Sequence, residues 1–140
     1  MNLKETRTVL LIATLLLIIS AFLPWRIDVI SEGMIYGWNY LFSEPLLWNT
    51  FVLFIAGTFG LIFTQRRRFG IFSVFIGLLS IFFLLNDMRT TLRLTQQPFS
   101  MLYRNWFLLS LVISIVIMGL TIWNFLLLKK MSGEKSKNDE

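Results

Sequence analysis

The sequence predicts an all-α membrane protein in which four transmembrane helices form two antiparallel hairpins. Hydrophobic residues make up 56% of the 140 residues, which is more than a soluble domain of this length needs for its core. Four apolar runs contain no Asp, Glu, Lys or Arg, and basic residues flank them unevenly on the two sides. We therefore predict one transmembrane domain, residues 1–128, followed by a polar cytoplasmic tail, residues 129–140.

The four predicted spans differ in length. At 1.5 Å per residue they reach about 22, 28, 26 and 34 Å, against a hydrocarbon core of about 30 Å. The first is the shortest, and Pro24 and Trp25 follow it as residues suited to a helix exit at the interface. A secretory signal peptide is the alternative for this run, but we favour a retained helix. The spans cover about residues 9–23, 46–64, 69–85 and 106–128.

The distribution of Lys and Arg predicts the orientation. Nine of the 13 basic residues lie at the N-terminus, at residues 66–68 or in the C-terminal tail, and four lie in the other two connections. The positive-inside rule then places both termini in the cytoplasm and makes residues 24–45 and 86–105 outer loops. The cytoplasmic (plasma) membrane is the expected location. The connection at residues 65–68 is so short that spans two and three must form a tight hairpin.

The first outer loop does not resemble an ordinary polar connection. Apolar and charged residues alternate from Trp25 to Val29, and alternation resumes from Met34 to Trp38. This period of two is typical of β-strands, and Ser31–Gly33 supplies turn residues between them. We therefore predict a short β-hairpin-like cap. Because a lone hairpin is marginal in water, it must pack on apolar surface. The predicted outer cap or partner contacts are Trp25, Tyr36, Trp38 and Tyr40.

Small residues recur at helical spacing within the spans. Because lipid gives little hydrophobic drive for helix association, close backbone approach through small residues is how such helices pack. A hydroxyl-lined route for a transported species is the alternative, but intramembrane charges that would mark one are absent from the runs. The predicted packing residues are Gly60, Gly70, Ser73, Gly77, Ser80, Ser110 and Ser114.

Asp87 is the acidic residue nearest to a span, at the predicted end of the third one. A role at the helix end or in an ion pair is favoured over proton-coupled transport, because the residue lies at the membrane boundary beside arginines. Arg89 and Arg93 are four residues apart, so they share a helix face. We predict that they contact lipid headgroups, with an anionic lipid as a possible partner.

Cysteine and histidine are both absent from the composition, which excludes disulfides and thiolate or imidazole chemistry. Asp28 and Glu32 form only a weak cation-binding pattern. We therefore predict no catalytic, cofactor or metal site. The expected function is that of a non-catalytic accessory or assembly subunit of a larger membrane complex. Its partners would be the lipid bilayer and other membrane subunits, in a hetero- or homo-oligomer, and not nucleic acid. The alternative is a small oligomeric transporter or channel.

Overall fold

The computed structural model describes residues 2–28 and 30–138, with side chains up to residue 134. The described chain is mostly helical and contains one two-stranded antiparallel sheet. Its elements, in chain order, are α1 (Leu3–Ser20), β1 (Pro24–Ile27), β2 (Met34–Tyr36), α2 (Gly37–Phe42), α3 (Pro45–Thr64), α4 (Arg67–Thr95), α5 (Phe99–Leu102) and α6 (Asn105–Asn138).

Three of these helices, α3, α4 and α6, are long and apolar enough to cross a membrane. The prediction of four such helices is therefore wrong for α1. This helix has 18 residues, and its first two turns contain Lys4, Glu5 and Arg7. Its charge-free part, residues 8–20, is only about 20 Å long at 1.5 Å per residue, compared with a hydrocarbon core of about 30 Å.

The bundle has two ends with different contents. At one end Arg7 Nε, near the start of α1, donates to the carbonyl oxygen of Ile62, near the end of α3, over 3.0 Å. Gln65 closes the tight α3–α4 connection there in the left-handed conformation, with φ 54°. We call this the terminal end. The sheet, α2 and α5 lie at the opposite end, which we call the hairpin end. Between the two ends α1 packs mainly on α6, and α3 packs mainly on α4.

The small residues of α4 lie on its buried face. Gly70, Ser73, Gly77 and Ser80 are all buried, and the Ser73 hydroxyl lies 2.7 Å from that of Thr58 on α3. This arrangement lets α4 approach its neighbours closely.

The other predicted packing residues occupy two kinds of position. Ser110 and Ser114 are buried in α6. Gly60 is half-buried, and a Cβ added to it would lie 2.8 Å from Cδ1 of Phe69. The close approach of α3 and α4 beside their connection therefore also requires a glycine, since a larger side chain would collide with Phe69.

Two helices continue beyond the predicted limits of their spans. The apolar span was expected to end at Leu85, and the spacing of Arg89 and Arg93 predicted that the helix continues or turns along the interface until Pro98. In the structure α4 continues to Thr95. Residues 86–95 contain Leu, Met and Arg, which favour helix, and no Gly or Pro. Likewise, α6 continues to Asn138 through most of the segment predicted as a separate tail. Lys and Glu there are also good helix formers. Charge and polarity indicated where the apolar spans end, but they do not end the helices.

Candidate functional site at the hairpin end

The predicted hairpin in the first outer loop is present. Strands β1 and β2 pair antiparallel, with Arg26 opposite Ile35 and Ile27 opposite Met34. The turn between them is closed by a bond from the Asp28 N–H to the Gly33 carbonyl oxygen, 2.8 Å. Its left-handed residue is Glu32, with φ 57°, and not the glycine. Val29, which was predicted to belong to the first strand, lies outside the described residues.

Hydrogen bonds to Asp28 hold the turn. Its carboxylate accepts from the Ile30 N–H at 3.1 Å and from the Ser31 hydroxyl at 3.0 Å. These bonds, the backbone bond first, lower the pKa of Asp28 below its ordinary value. The charged form is therefore favoured in the folded turn, and this contribution is lost as the pH falls through the lowered pKa.

The second strand is shorter than predicted, because the chain turns into α2 at Gly37. The N–H groups of Gly37 and Trp38 donate to the carbonyl oxygens of Leu23 and Ala21, at 3.0 and 2.8 Å. The start of α2 is thereby fixed to the end of α1. A Cβ on Gly37 would lie 2.5 Å from Cε2 of Trp25 and 2.7 Å from the Ala21 Cα. Only glycine fits where the chain passes this close to Trp25 and Ala21. As a result of the turn, Trp38 lies in α2 and not in the predicted strand.

Trp25 is the centre of the hairpin end. Its side chain is fully buried, and its indole N–H donates to the carbonyl oxygen of Ser20 over 2.9 Å. Its ring contacts Tyr40, Phe51 and Phe107, with centroid distances of 6.0, 6.4 and 5.7 Å. One side chain thus connects the hairpin to α1, α2, α3 and α6.

Polar contacts join α2, and the residue that follows α5, to α4. The Tyr40 hydroxyl donates to the carboxylate of Asp87 and lies 3.4 Å from the Tyr103 hydroxyl. Burial, followed by the bond to Asp87, raises the pKa of Tyr40. Asp87 was expected at the end of a helix, but it lies inside α4. We call Tyr40, Asp87 and Tyr103 the tyrosine–aspartate cluster.

Arg26 covers this cluster. Its guanidinium carbon lies 5.5 Å from the centroid of the Tyr40 ring, and its Nη1 donates to the Thr91 hydroxyl at 3.4 Å. The backbone of Arg26 also forms an isolated antiparallel β-bridge with that of Tyr103. Tyr103 and Thr91 were not predicted as contacts of the hairpin, because no local pattern links positions so far apart.

The four predicted contact residues therefore have different environments. Trp25 and Tyr40 are buried inside the hairpin end, Trp38 is half-buried, and Tyr36 is 46% exposed. The first two hold the cap together and are not accessible to a partner in this conformation. The exposed candidates are instead found around Trp38.

An aromatic surface surrounds Trp38. It consists of Phe22, Tyr36, Trp38, Phe42 and Trp48. The first four of these residues line a groove of about 470 Å³, together with Ala21 and Asn39. Phe42 is 60% exposed and stacks on Trp48 with a centroid distance of 4.0 Å. Among the described atoms, the indole N–H of Trp38 has no acceptor. This surface was only partly predicted, since Phe22 and Phe42 carried no sequence signal distinguishing them from other phenylalanines.

Arg89 and Arg93 lie on the part of α4 that continues beyond Asp87, and both are exposed. Their contact with lipid headgroups stays a prediction. Within the described part of the chain, no group of three or more acidic side chains is placed to hold a metal ion. The chemistry of the hairpin end is that of aromatic packing and of two hydrogen-bonded carboxylates, those of Asp28 and Asp87.

These features define a class: a mostly helical protein with three helices able to cross a membrane and a β-hairpin cap at one end. No protein-family model, curated protein or solved structure matches the chain. The function is therefore argued from the residues alone.

Proposed function

We propose that the chain is a non-catalytic accessory or assembly subunit of a larger membrane complex. The observation that supports this proposal is how the buried hydroxyls are used. Thr14, Ser114 and Thr121 donate to carbonyl oxygens of their own helices, over 2.7, 2.8 and 2.7 Å. A route for ions or solutes needs polar groups that can bind the moving species. The protons of these hydroxyls are already donated to the backbone of their own helices, which supports a role in helix packing over donation to a moving species.

The outer surfaces provide the contacts that such a subunit needs. Large aromatic side chains are exposed along α4, where Phe75 is 65% and Phe82 is 62% exposed. The aromatic surface at the hairpin end adds a second apolar area. Exposed contiguous apolar surface is typical of contact with lipid or with another protein. We assign the lateral faces to lipid and the aromatic surface to a partner subunit.

As part of this proposal, α1 is a fourth membrane crossing. Arg7 contacts Ile62 at the terminal end, and Trp25, a few residues after α1, contacts Phe107 at the hairpin end. Between these levels α1 lies alongside α6. The position of α1 beside α3 and α6 over this distance supports the proposal that it crosses the same layer, although α1 alone is not long and apolar enough to span. The charge-free part of α1 is short, but its packing on α3 and α6 and the interfacial residues Pro24 and Trp25 that follow it would allow it to cross.

Purification in a mild detergent tests the proposed function. We expect the chain to co-purify with unlike membrane subunits in a fixed ratio, and Phe42→Ser to release them. Phe82→Ser is the matched control, because its side chain is equally exposed but lies on α4, and it should keep them. A chain that purifies alone would contradict the proposal. A homo-oligomer that conducts ions in liposomes would support the transporter alternative instead.

The proposed orientation places both termini and residues 66–68 in the cytoplasm. Cysteines introduced singly at Ser31 and Arg68, both exposed, test it, since the chain has no cysteine of its own. In intact cells a membrane-impermeant thiol reagent should label the Ser31→Cys protein and not the Arg68→Cys protein. After permeabilisation both should be labelled. Labelling of Arg68→Cys from outside would reverse the orientation.

A further inference from the structure

We propose that a groove between α1 and α3 at the terminal end binds one anionic phospholipid. The site is independent of the accessory role and distinct from Arg89 and Arg93, which lie towards the opposite end of α4. The groove has a volume of about 240 Å³ and is lined by Lys4, Arg7, Thr8, Leu11, Ile62 and Phe63.

The lining separates into a charged half and an apolar half. Lys4, Thr8 and Leu11 are spaced three and four residues apart, so they lie on one face of α1. Lys4 and Arg7 supply two positive charges at the rim. Leu11 on α1 and Ile62 and Phe63 on α3 supply the apolar wall, with Phe63 69% exposed. A ligand that complements both halves has an anionic group joined to a hydrocarbon chain.

Arg7 is held in position for an anion. Its Nε donates to the Ile62 carbonyl oxygen over 3.0 Å, which leaves the two terminal amino groups of the guanidinium to donate to phosphate oxygens. Glu5, next to Lys4 in sequence, is not part of the lining and accepts from the backbone N–H of Asn2 at 3.3 Å. The described residues that line the groove include two cations and no carboxylate.

The depth of the groove fits a lipid. The charged residues of α1 end at Arg7, and α3 ends at Thr64, one residue before Arg66–Arg68. Both helices thus change from charged to apolar sequence at this level, where a phospholipid also changes from headgroup to acyl chain. A free phosphate ion would satisfy the cations but would leave the apolar wall uncovered. Basic pockets between membrane helices are known to hold anionic headgroups.

Native mass spectrometry of the detergent-purified chain with added lipid tests the site. We expect one phosphatidylglycerol to bind about tenfold more tightly than phosphatidylcholine, given the attraction of two cations for one anionic headgroup. The double variant Lys4→Gln/Arg7→Gln should lose this preference. Lys129→Gln/Lys130→Gln removes the same charge from exposed positions on α6 and should keep it. Arg7→Lys retains the charge without the fork of the guanidinium and should keep most of it, which covers the case in which the double variant fails to fold.

Four results would overturn the proposal. The double variant could bind phosphatidylglycerol as well as the parent does. The Lys129/Lys130 control could lose the preference equally, which would indicate a general effect of net charge. Soluble glycerol phosphate could displace the lipid at equal concentration, which would indicate a site for a free anion. A parent chain with no preference between the two lipids would exclude the site directly.

Discussion

Trp25→Ala is expected to lower the free energy of unfolding by about 4 kcal/mol, within the range for a large aromatic side chain removed from a packed core. The reason is its position, since the side chain is fully buried and contacts rings from α2, α3 and α6. Removal would leave a cavity, and the carbonyl oxygen of Ser20 would lose one of its two donors and keep the N–H of Leu23, at 3.1 Å. Denaturation in detergent micelles measures the loss, and proteolysis near Ser31 reports on the hairpin itself.

Two variants separate the contributions to this effect. Trp106→Ala is the control, because that side chain is 42% exposed and surface substitutions usually change stability by less than about 0.5 kcal/mol. Trp25→Phe keeps an aromatic ring but removes the donor to Ser20, so an intermediate loss is expected. Equal stability of the Trp25→Ala and Trp106→Ala proteins would contradict the central role of Trp25.

Gly77→Leu is expected to lower the free energy of unfolding by about 2 to 3 kcal/mol, since side chains forced into a packed interface typically cost about 1 to 3 kcal/mol. A Cβ at this position would already lie 2.9 Å from Sδ of Met118 and 3.0 Å from Cε1 of Phe54. The rest of a leucine would push α4 away from α3 and α6. Thermal unfolding in detergent, followed by circular dichroism, measures the effect.

Gly119→Leu in α6 is the matched control. No atom lies within 4 Å of the Cβ position of Gly119, and leucine favours helix over glycine by up to about 1 kcal/mol. This variant should therefore be as stable as the parent or slightly more stable. Similar destabilisation by both substitutions would mean that the face of α4 at Gly77 is not the close contact described above.

Local pattern predicted most of the fold. Apolar runs predicted α3, α4 and α6. The short connection at residues 65–68 predicted the hairpin of α3 and α4, and the alternation after Trp25 predicted the strands. The limits of helices were less predictable, because the end of an apolar run marks a change of solvent and not a break in the backbone. For that reason α4 continues past Leu85. The small residues of α4 were predictable because in lipid few other features draw helices together.

The candidate site was predictable only in part. Aromatic residues in the predicted first outer loop indicated a packed cap, but local pattern could not distinguish inward from outward side chains, because α2 forms where a strand was expected. Tyr40 therefore lies inside and Tyr36 outside. The bond between Tyr40 and Asp87 joins positions 47 residues apart, and such pairs depend on how the helices assemble. Long-range partners of this kind have no local signature.

The contacts of Trp25 have a consequence for the order of events during synthesis. Its partner Phe107 and the Arg104 N–H, which donates to the Trp25 carbonyl oxygen over 2.8 Å, leave the ribosome long after the hairpin. Domains fold as units once their chain is available, and the closure of long loops precedes the contacts that reward it. The strands can pair locally, but the packing of Trp25 on α6 cannot form until residues 104–107 have been synthesised. A fully packed cap therefore marks a chain in which α6 is in place.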